Sequence, residues 1–290
     1  MLILPLKQIA LDKKLIDLFI KNAIAEDVGD GDHTSLSTIP LSTQGRAKLI
    51  VKEDGVLAGV ELALEIFNQV DPKLSVTVKI SDGTKVKVGD IVLTVAGSTH
   101  AILLAERLVL NCMQRMSGIA TKTNRIVKLL APFPTQVLDT RKTTPGLRYL
   151  EKWAVKVGGG VNHRIGLYDM ILIKDNHVDY AGGISNAIES ANQYLVKTGK
   201  KLAIEIEVRN LDELKQVLSV GKVQRIMLDN FELSALKQAV EMIDGKFITE
   251  ASGGIVEENV ADYAACGVDY ISMGALTHSV KSLDLSLKAY

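Results

Sequence analysis

Asp139-Thr140-Arg141-Lys142, Lys174-Asp175, Glu205 with Glu207, Asp229-Asn230, Ser252-Gly253-Gly254 and Gly274-Ala275 recur at one kind of place: each ends or follows a short apolar run. The side chains are those of anion and cation handling. Arg141, Lys142, Arg164 and Lys174, with His163 beside them and Arg107 upstream, supply positive charge. Were they to converge, two unit charges about 4 Å apart would repel by roughly 4 kcal/mol at an effective dielectric near 20, so such a group expects an anionic ligand. Arginine's planar fork suits carboxylates and phosphates. Glu205, Glu207 and Asp229 add hard oxygen donors, which together with substrate phosphates suit Mg²⁺. Ser252-Gly253-Gly254 and Met273-Gly274-Ala275-Leu276-Thr277-His278-Ser279 are small-residue segments where backbone N–H groups could approach a phosphate. The plainer account of Gly253 and Gly254 is a turn into a helix beginning near Val256, and that of Arg107 is a helix-surface charge beside Glu106.

The elements that must position these residues follow from periodicity. From about residue 113 the runs Gln136 to Leu138, Met170 to Ile173, Leu202 to Val208, Arg225 to Leu228, Phe247 to Thr249 and Asp269 to Met273 alternate with helical segments, the rhythm of βα units on a parallel sheet. In such folds the carboxyl ends of the strands share one rim, where ligands bind. Six units are fewer than the eight of a closed barrel, so an incomplete (β/α) barrel is expected over 113–290, its C-terminal tail packing back on the N-terminal domain, with an open doubly wound sheet as the second choice. Residues 1–112 read as an α+β domain. Leu74, Val76, Val78 and Ile80 alternate with polar residues, Asp82-Gly83 supplies a turn, and Val86 to Val95 continue what reads as a strand meander. Val60, Ala63, Ile66, Phe67 and Val70 form a helical stripe able to cover one sheet face.

Several classes are disfavoured. The 34 basic residues balance 34 acidic ones, so no whole-chain field favours nucleic acid or an anionic membrane. Charges interrupt every apolar stretch well before the roughly 18 residues of a membrane span, and MLILPLKQIALDKKL lacks a basic leader. Cys112 and Cys266 sit in helix-like apolar segments, which suggests core thiols in a reducing cytoplasm. No G-x-G-x-x-G turn, Walker loop or Gly-x-Ser-x-Gly elbow occurs, and His163 and His177 lack further ligands at zinc spacing. Two readings of the rim stay open beside a transferase: an aldolase using Lys174 as a Schiff base, and a non-catalytic sensor of an anionic metabolite.

The strings EDVGDGDHTS, AERLVLNCMQRMSGIATKT, LDTRKTTPGLR, KWAVKVGGGVNHRIGLYD, ILIKDNHV, EIEVRN, MLDNF, EASGGI and GVDYISMGALTHS together resemble the quinolinate phosphoribosyltransferase family, from about Glu26 to Ser279. The resemblance implies an N-terminal α/β sandwich followed by an incomplete, seven-stranded α/β barrel. It also implies a pentosyltransferase of NAD biosynthesis that joins quinolinate to phosphoribosyl pyrophosphate, releasing pyrophosphate and carbon dioxide, in a homodimer or higher oligomer. By similarity, Arg141, His163, Arg164 and Lys174 surround the quinolinate carboxylates, and Arg107 enters that pocket from the neighbouring subunit. Thr140 and Lys142 belong to the same substrate-binding set. Lys142, Glu207 and Asp229 face the phosphoribosyl pyrophosphate as catalytic groups, with Glu207 and Asp229 as Mg²⁺ ligands. Ser252, Gly253, Gly254, Met273, Gly274, Ala275 and His278 hold the phosphate end.

Overall fold

The structure, a computed structural model, describes residues 13–290. Most of the segment read for a leader lies outside the described residues. The helices are α1 (Lys13–Val28), α2 (His33–Thr38), α3 (Val60–Val70), α4 (Thr99–Leu130), α5 (Arg148–Val157), α6 (Asp175–Ala181), α7 (Ile184–Thr198), α8 (Leu211–Val220), α9 (Leu233–Ile243), α10 (Val260–Ala265) and α11 (Ala275–His278). The strands are β1 (Gln44–Val51), β2 (Gly55–Val56), β3 (Ser75–Val78), β4 (Lys85–Val86), β5 (Ile91–Ser98), β6 (Gln136–Leu138), β7 (Ile171–Ile173), β8 (Ile204–Val208), β9 (Arg225–Asp229), β10 (Ile248–Ser252), β11 (Tyr270–Ser272) and β12 (Leu285–Ala289). They fall into two compact units. The first comprises 13–124, 144–159 and 279–290, and the second 125–143 and 160–278.

The first unit is built on an antiparallel sheet ordered β12-β1-β5-β3. Its last strand is the chain's C-terminal segment, with Leu285 opposite Val51 and Leu287 opposite Leu49. Alternation buries Leu49, Val51, Val92, Leu93 and Val95. The helical stripe at 60–70 is α3, whose Val60, Ala63, Ile66 and Phe67 are buried as the spacing requires, while Val70 is half-buried. Its start is tied by the Val60 amide donating to Asp82 Oδ1 at 2.8 Å. The meander is not one continuous ladder: β3 pairs with β5, whereas β4 pairs with β2 in a separate two-stranded ladder. β3 is an edge strand, so its alternation carries little burial and Val78 is 37% exposed. Helix α4 buries Ile102, Ala105, Val109, Met113, Met116 and Ala120 at three- and four-residue steps. It runs uninterrupted through residue 112, where the sequence rhythm suggests a domain boundary. Of the triple glycine at 158–160, Gly158 is the one that packing demands, because a Cβ there would meet the Ala120 carbonyl oxygen at 2.6 Å.

The second unit carries a parallel sheet ordered β6-β11-β10-β9-β8-β7. The six apolar runs coincide with these six strands, and β8 is buried at every position, as expected of a strand covered on both faces. Val161 adds a single parallel bridge to Leu138, the position of a further strand reduced to one residue pair. The fold is therefore the incomplete α/β barrel expected, with the seventh strand present only as this bridge. The helix foreseen near Val256 begins instead at Val260. Residues 256–259 form a turn in which the Val256 amide donates to Asn259 Oδ1 at 2.8 Å. An Asn side chain that satisfies a local amide in this way favours a turn over a helix interior.

Candidate active site

Each strand of the parallel sheet delivers its polar residues at period two, so i and i+2 share a face. On β8, Glu205 and Glu207 lie two apart; β9 reaches Asp229 four residues after Arg225; β10 carries Glu250 and then Ser252. The upper members, Glu207, Asp229 and Ser252, lie at the carboxyl ends. Register places Ser252 beside Asp229.

At that rim, Lys174 Nζ donates to Glu207 Oε2 at 3.2 Å, with the lysine side chain 48% exposed and the glutamate only 8%. Burial raises the Glu207 carboxyl above its usual range, Lys174 opposes this, and the neighbouring Asp229 and Asp175 raise it further. Asn230 Nδ2 donates to Asp229 Oδ2 at 2.6 Å, and the Asn230 amide donates to the Ser252 carbonyl at 2.8 Å. Gly253, at φ +91°, packs against this asparagine, and a Cβ would stand 2.8 Å from the Asn230 backbone nitrogen. Gly254, at φ +63°, faces open space.

A second group gathers after β6 and β11. Thr140 Oγ1 accepts the Lys142 amide at 3.0 Å, and Thr277 Oγ1 donates to the Lys142 carbonyl at 2.7 Å. A Cβ on Gly274 would meet Lys142 Cδ at 2.9 Å and His278 Cδ2 and Nε2 at 3.1 Å. Glycine thus lets Lys142 and His278, both exposed, approach across the Gly274 backbone. Ala275 opens α11 half-buried, whereas Met273 is 2% exposed and donates its amide to the Leu138 carbonyl, so its side chain is core.

The 161–170 segment brings the arginines together. Asp139, fully buried, accepts Asn162 Nδ2 at 2.6 Å and the His163 amide at 2.9 Å. Asp169 accepts the amides of Ile165 and Gly166 at 2.8 and 2.9 Å, and Arg164 Nη1 donates to the Met170 carbonyl at 3.1 Å. Burial holds the Arg164 guanidinium below its usual pKa, and the charge of Arg141 lowers it further, so the two arginines act on one another at this rim. Arg141 is half-buried. Arg107 belongs to the first unit, exposed on α4.

One layer below the rim lies a cluster in which Glu205 and His163 meet two residues that sequence reasoning did not single out, Arg225 and Glu250. His163 Nε2 stands 3.0 Å from Glu205 Oε2 and 3.5 Å from Glu250 Oε2, and Arg225 Nη1 donates to Glu250 Oε2 at 2.9 Å. None of the four is more than 6% exposed. Arg225 also lies over the Tyr270 ring at 4.8 Å. For Glu250, burial alone would weaken the acid, but His163 and Arg225 hold it down to about 2. For Glu205, burial and the neighbouring Glu250 raise it. Burial disfavours a charged His163, yet the two carboxylates push it up to about 10. Its Nδ1, however, accepts the Arg164 amide at 2.7 Å, which leaves Nε2 to carry the ring proton. Among the described residues this is also the one His/carboxylate group of three compact enough for a metal, its donor atoms lying within 4.8 Å of one another. Arg225 already occupies a carboxylate oxygen there, so ion pairing accounts for it. The available signal was a charged residue, Arg225 or Glu250, inside an otherwise apolar buried strand.

A fold of incomplete α/β-barrel type, with paired arginines and a lysine–carboxylate rim, defines an anion-handling barrel enzyme. Residues 32–117 match the N-terminal domain of quinolinate phosphoribosyl transferase and residues 119–288 its C-terminal domain. The chain is 48% identical to quinolinate phosphoribosyltransferase [decarboxylating] 1b of Nicotiana tabacum over 93% of its own length and 81% of that protein. It is 40% identical to the probable nicotinate-nucleotide pyrophosphorylase [carboxylating] of Synechocystis over 94% and 92% of the two. The crystal structure of NadC from Streptococcus pyogenes superposes with a TM-score of 0.91 at 38% identity, covering 97% of this chain and 98% of that one. The chain belongs to the quinolinate phosphoribosyltransferase family.

Proposed function

We propose that this protein transfers the phosphoribosyl group of phosphoribosyl pyrophosphate to quinolinate with decarboxylation, giving nicotinate mononucleotide, pyrophosphate and carbon dioxide, a pentosyltransferase step of NAD biosynthesis. The observation that carries the reading is the juxtaposition of Arg141 with Arg164, and of Lys174 with Glu207 and Asp229, on a single sheet rim. A dicarboxylate and a polyphosphate are the kinds of ligand that such a rim would take.

Arg141, Arg164 and Lys174 bind the quinolinate carboxylates, a role in which each charge-assisted hydrogen bond contributes about 1.5–3 kcal/mol. Lys142 and His278, brought together over Gly274, grip the phosphoribosyl pyrophosphate, and the backbone at 252–254 and 273–275 receives its phosphate end. Glu207 and Asp229 fit a Mg²⁺ ion, because the two carboxylates disfavour one another's charge at the mouth, where Lys174 offsets that of Glu207. When bound, Mg²⁺ neutralises charge on the pyrophosphate. The rim holds the ring nitrogen of quinolinate against ribose C1, so that the N–C1 bond forms as the C1–O bond to pyrophosphate breaks. The cationic ring nitrogen then accepts the electron pair left when the C2 carboxylate departs as carbon dioxide. Arg107 completes the quinolinate pocket of a neighbouring subunit in a homodimer. The two free thiols, Cys112 and Cys266, support residence in the cytoplasm.

Two alternatives are less well supported. A Schiff-base lysine is activated by an apolar setting, whereas Lys174 is ion-paired and half exposed. A sensor would bind without turnover. The test is carbon dioxide release from quinolinate that depends on both phosphoribosyl pyrophosphate and Mg²⁺. Release independent of either, or none from folded protein, would reject the proposal.

A further inference from the structure

Residues 162–170 carry the chain from the Val161 bridge to β7 without helix or strand. Such a segment has no ladder to fix its backbone, yet Arg164 within it is buried. Side chains set its shape instead. Asp169, half-buried, commits both carboxylate oxygens to the turn that follows the arginine: Oδ2 accepts the Ile165 amide at 2.8 Å and Oδ1 the Gly166 amide at 2.9 Å. These are the first two amides after Arg164. The residue next to the aspartate closes the turn from the other end, since the Met170 carbonyl accepts Arg164 Nη1 at 3.1 Å. The ring of Tyr168 lies against Gly166, where a Cβ would meet its Cε1 at 2.5 Å.

A carboxylate is out of place beside a site for anions. The charge of Asp169 favours that of Arg164, against burial and the like charge of Arg141. It therefore acts also on any anion that Arg164 meets, and on charge alone the protein would bind a dicarboxylate more tightly without it. Geometry gives the opposite expectation. A carboxylate accepts from two successive amides with separate oxygens and has no donor to oppose them, whereas asparagine, of the same shape, would accept from one and turn an N–H towards the other. We infer that Asp169 is a positioning residue for quinolinate binding: it locks the 164–170 turn before substrate arrives, so that the Arg164 guanidinium waits in the orientation in which it meets a substrate carboxylate. Order established in advance does not have to be established on binding, which strengthens affinity. Asp139 acts in the same way at the start of the segment, through Asn162 Nδ2 and the His163 amide, so Arg164 lies between two stretches of backbone held by carboxylates.

The inference rests on the reading of Arg164 as a quinolinate ligand, and its test separates the two. Calorimetry measures quinolinate binding to the full-length protein, and carbon dioxide release at saturating phosphoribosyl pyrophosphate gives kcat and the KM for quinolinate, for wild type, Asp169→Asn and Asp169→Ala. Both variants should lose quinolinate affinity by about tenfold or more, alanine the more because it keeps neither acceptor, with kcat at saturating quinolinate within about threefold of wild type. Unchanged or tighter binding would make the carboxylate no more than a nearby charge, and a fall in kcat at unchanged KM would make it a support of the fold alone. Either result would overturn the inference. Wild type that binds no quinolinate would instead overturn the proposed function. Should the variants fail to fold, hydrogen exchange in the wild type decides the matter. The Ile165 and Gly166 amides should be protected before quinolinate is added and should change little at saturation, whereas amides protected only after binding would show a turn shaped by the ligand and end the proposal.

Discussion

The inner and outer layers of the parallel sheet use the same strands and nearly the same residue types, yet their charge balance differs. Inside, acidic Glu205 and Glu250 face basic His163 and Arg225 at 2.9–3.5 Å, so opposite charges oppose one another within the protein. Outside, the charge of Arg141 disfavours that of Arg164, and Asp229 disfavours that of Glu207, so like charges face one another at the rim. Burial explains the division. A fully enclosed charge must be paired within the protein, because an unpaired one costs more than the fold can spare. A charge at a strand's carboxyl end can remain unbalanced at modest cost, since water solvates it until substrate arrives. On the proposed reading, the phosphoribosyl pyrophosphate and its metal are met by the outer layer.

The comparison is broken most directly at the outer layer. Lys174→Ala and Arg107→Ala should each reduce carbon dioxide release by about 10³-fold or more while leaving the melting temperature close to wild type, because neither side chain is buried. Mixed assemblies of the two variants should regain about one working site per dimer if Arg107 serves the neighbouring subunit; absence of regain would reject the shared pocket. Glu207→Gln and Asp229→Asn should be milder, each lowering kcat by about 10²-fold and raising the Mg²⁺ concentration for half-maximal rate. An unchanged Mg²⁺ dependence in both would remove these residues from the metal. Gly253→Ala should cost activity and stability together, since its Cβ would press on the Asn230 backbone, whereas Gly254→Ala meets only the strain of a left-handed φ, about 1 kcal/mol. Thermal melts of the pair, with activity beside them, would show whether the Asn230 contact is what distinguishes the two glycines.

The outer layer was legible in the sequence and the inner one was not, for a physical reason. Polar residues that close an apolar run announce themselves by position, and the six runs map onto six strands because a doubly covered parallel strand has to be apolar along its length. Glu250 and Arg225 sit within or at the start of such runs, where their partners are side chains from other strands and a loop, and pairing across that distance has no signature in local pattern. The C-terminal strand was legible only as a tail expected to pack back on the N-terminal domain; its pairing with β1 was not, because the antiparallel partner lies more than two hundred residues away. The meander failed similarly. The alternation at 74–80 was real, but it belongs to an edge strand paired with β5, and strand order is set by contacts that a local period does not encode. Resemblance to the family reached His163 as a residue of the substrate pocket, but local pattern gave no sign of the buried carboxylates that stand 3.0 and 3.5 Å from its ring.

The inner layer offers the subtlest test, because its proton linkage becomes visible only on acidification. Glu250 is held down to about 2 by His163 and Arg225 against the opposing effect of burial, whereas the same carboxyl titrates near 4.5 in the unfolded chain. A carboxylate whose folded pKa lies below its unfolded value binds fewer protons when folded. Its contribution to stability is therefore complete above about pH 4.5 and is lost as pH falls towards 2. Melting temperature should decline through that window in the wild type, and the decline should be shallower in Glu250→Gln, which has nothing to protonate there. Coincident acid limbs for the two proteins would mean that Glu250 is not held as an ion by its neighbours, and the view of the inner layer as a self-balanced set of charges would lose its basis. Because Glu207 at the rim is raised, not lowered, Glu207→Gln should leave this acid limb in place, which separates the two layers by the sign of their proton linkage.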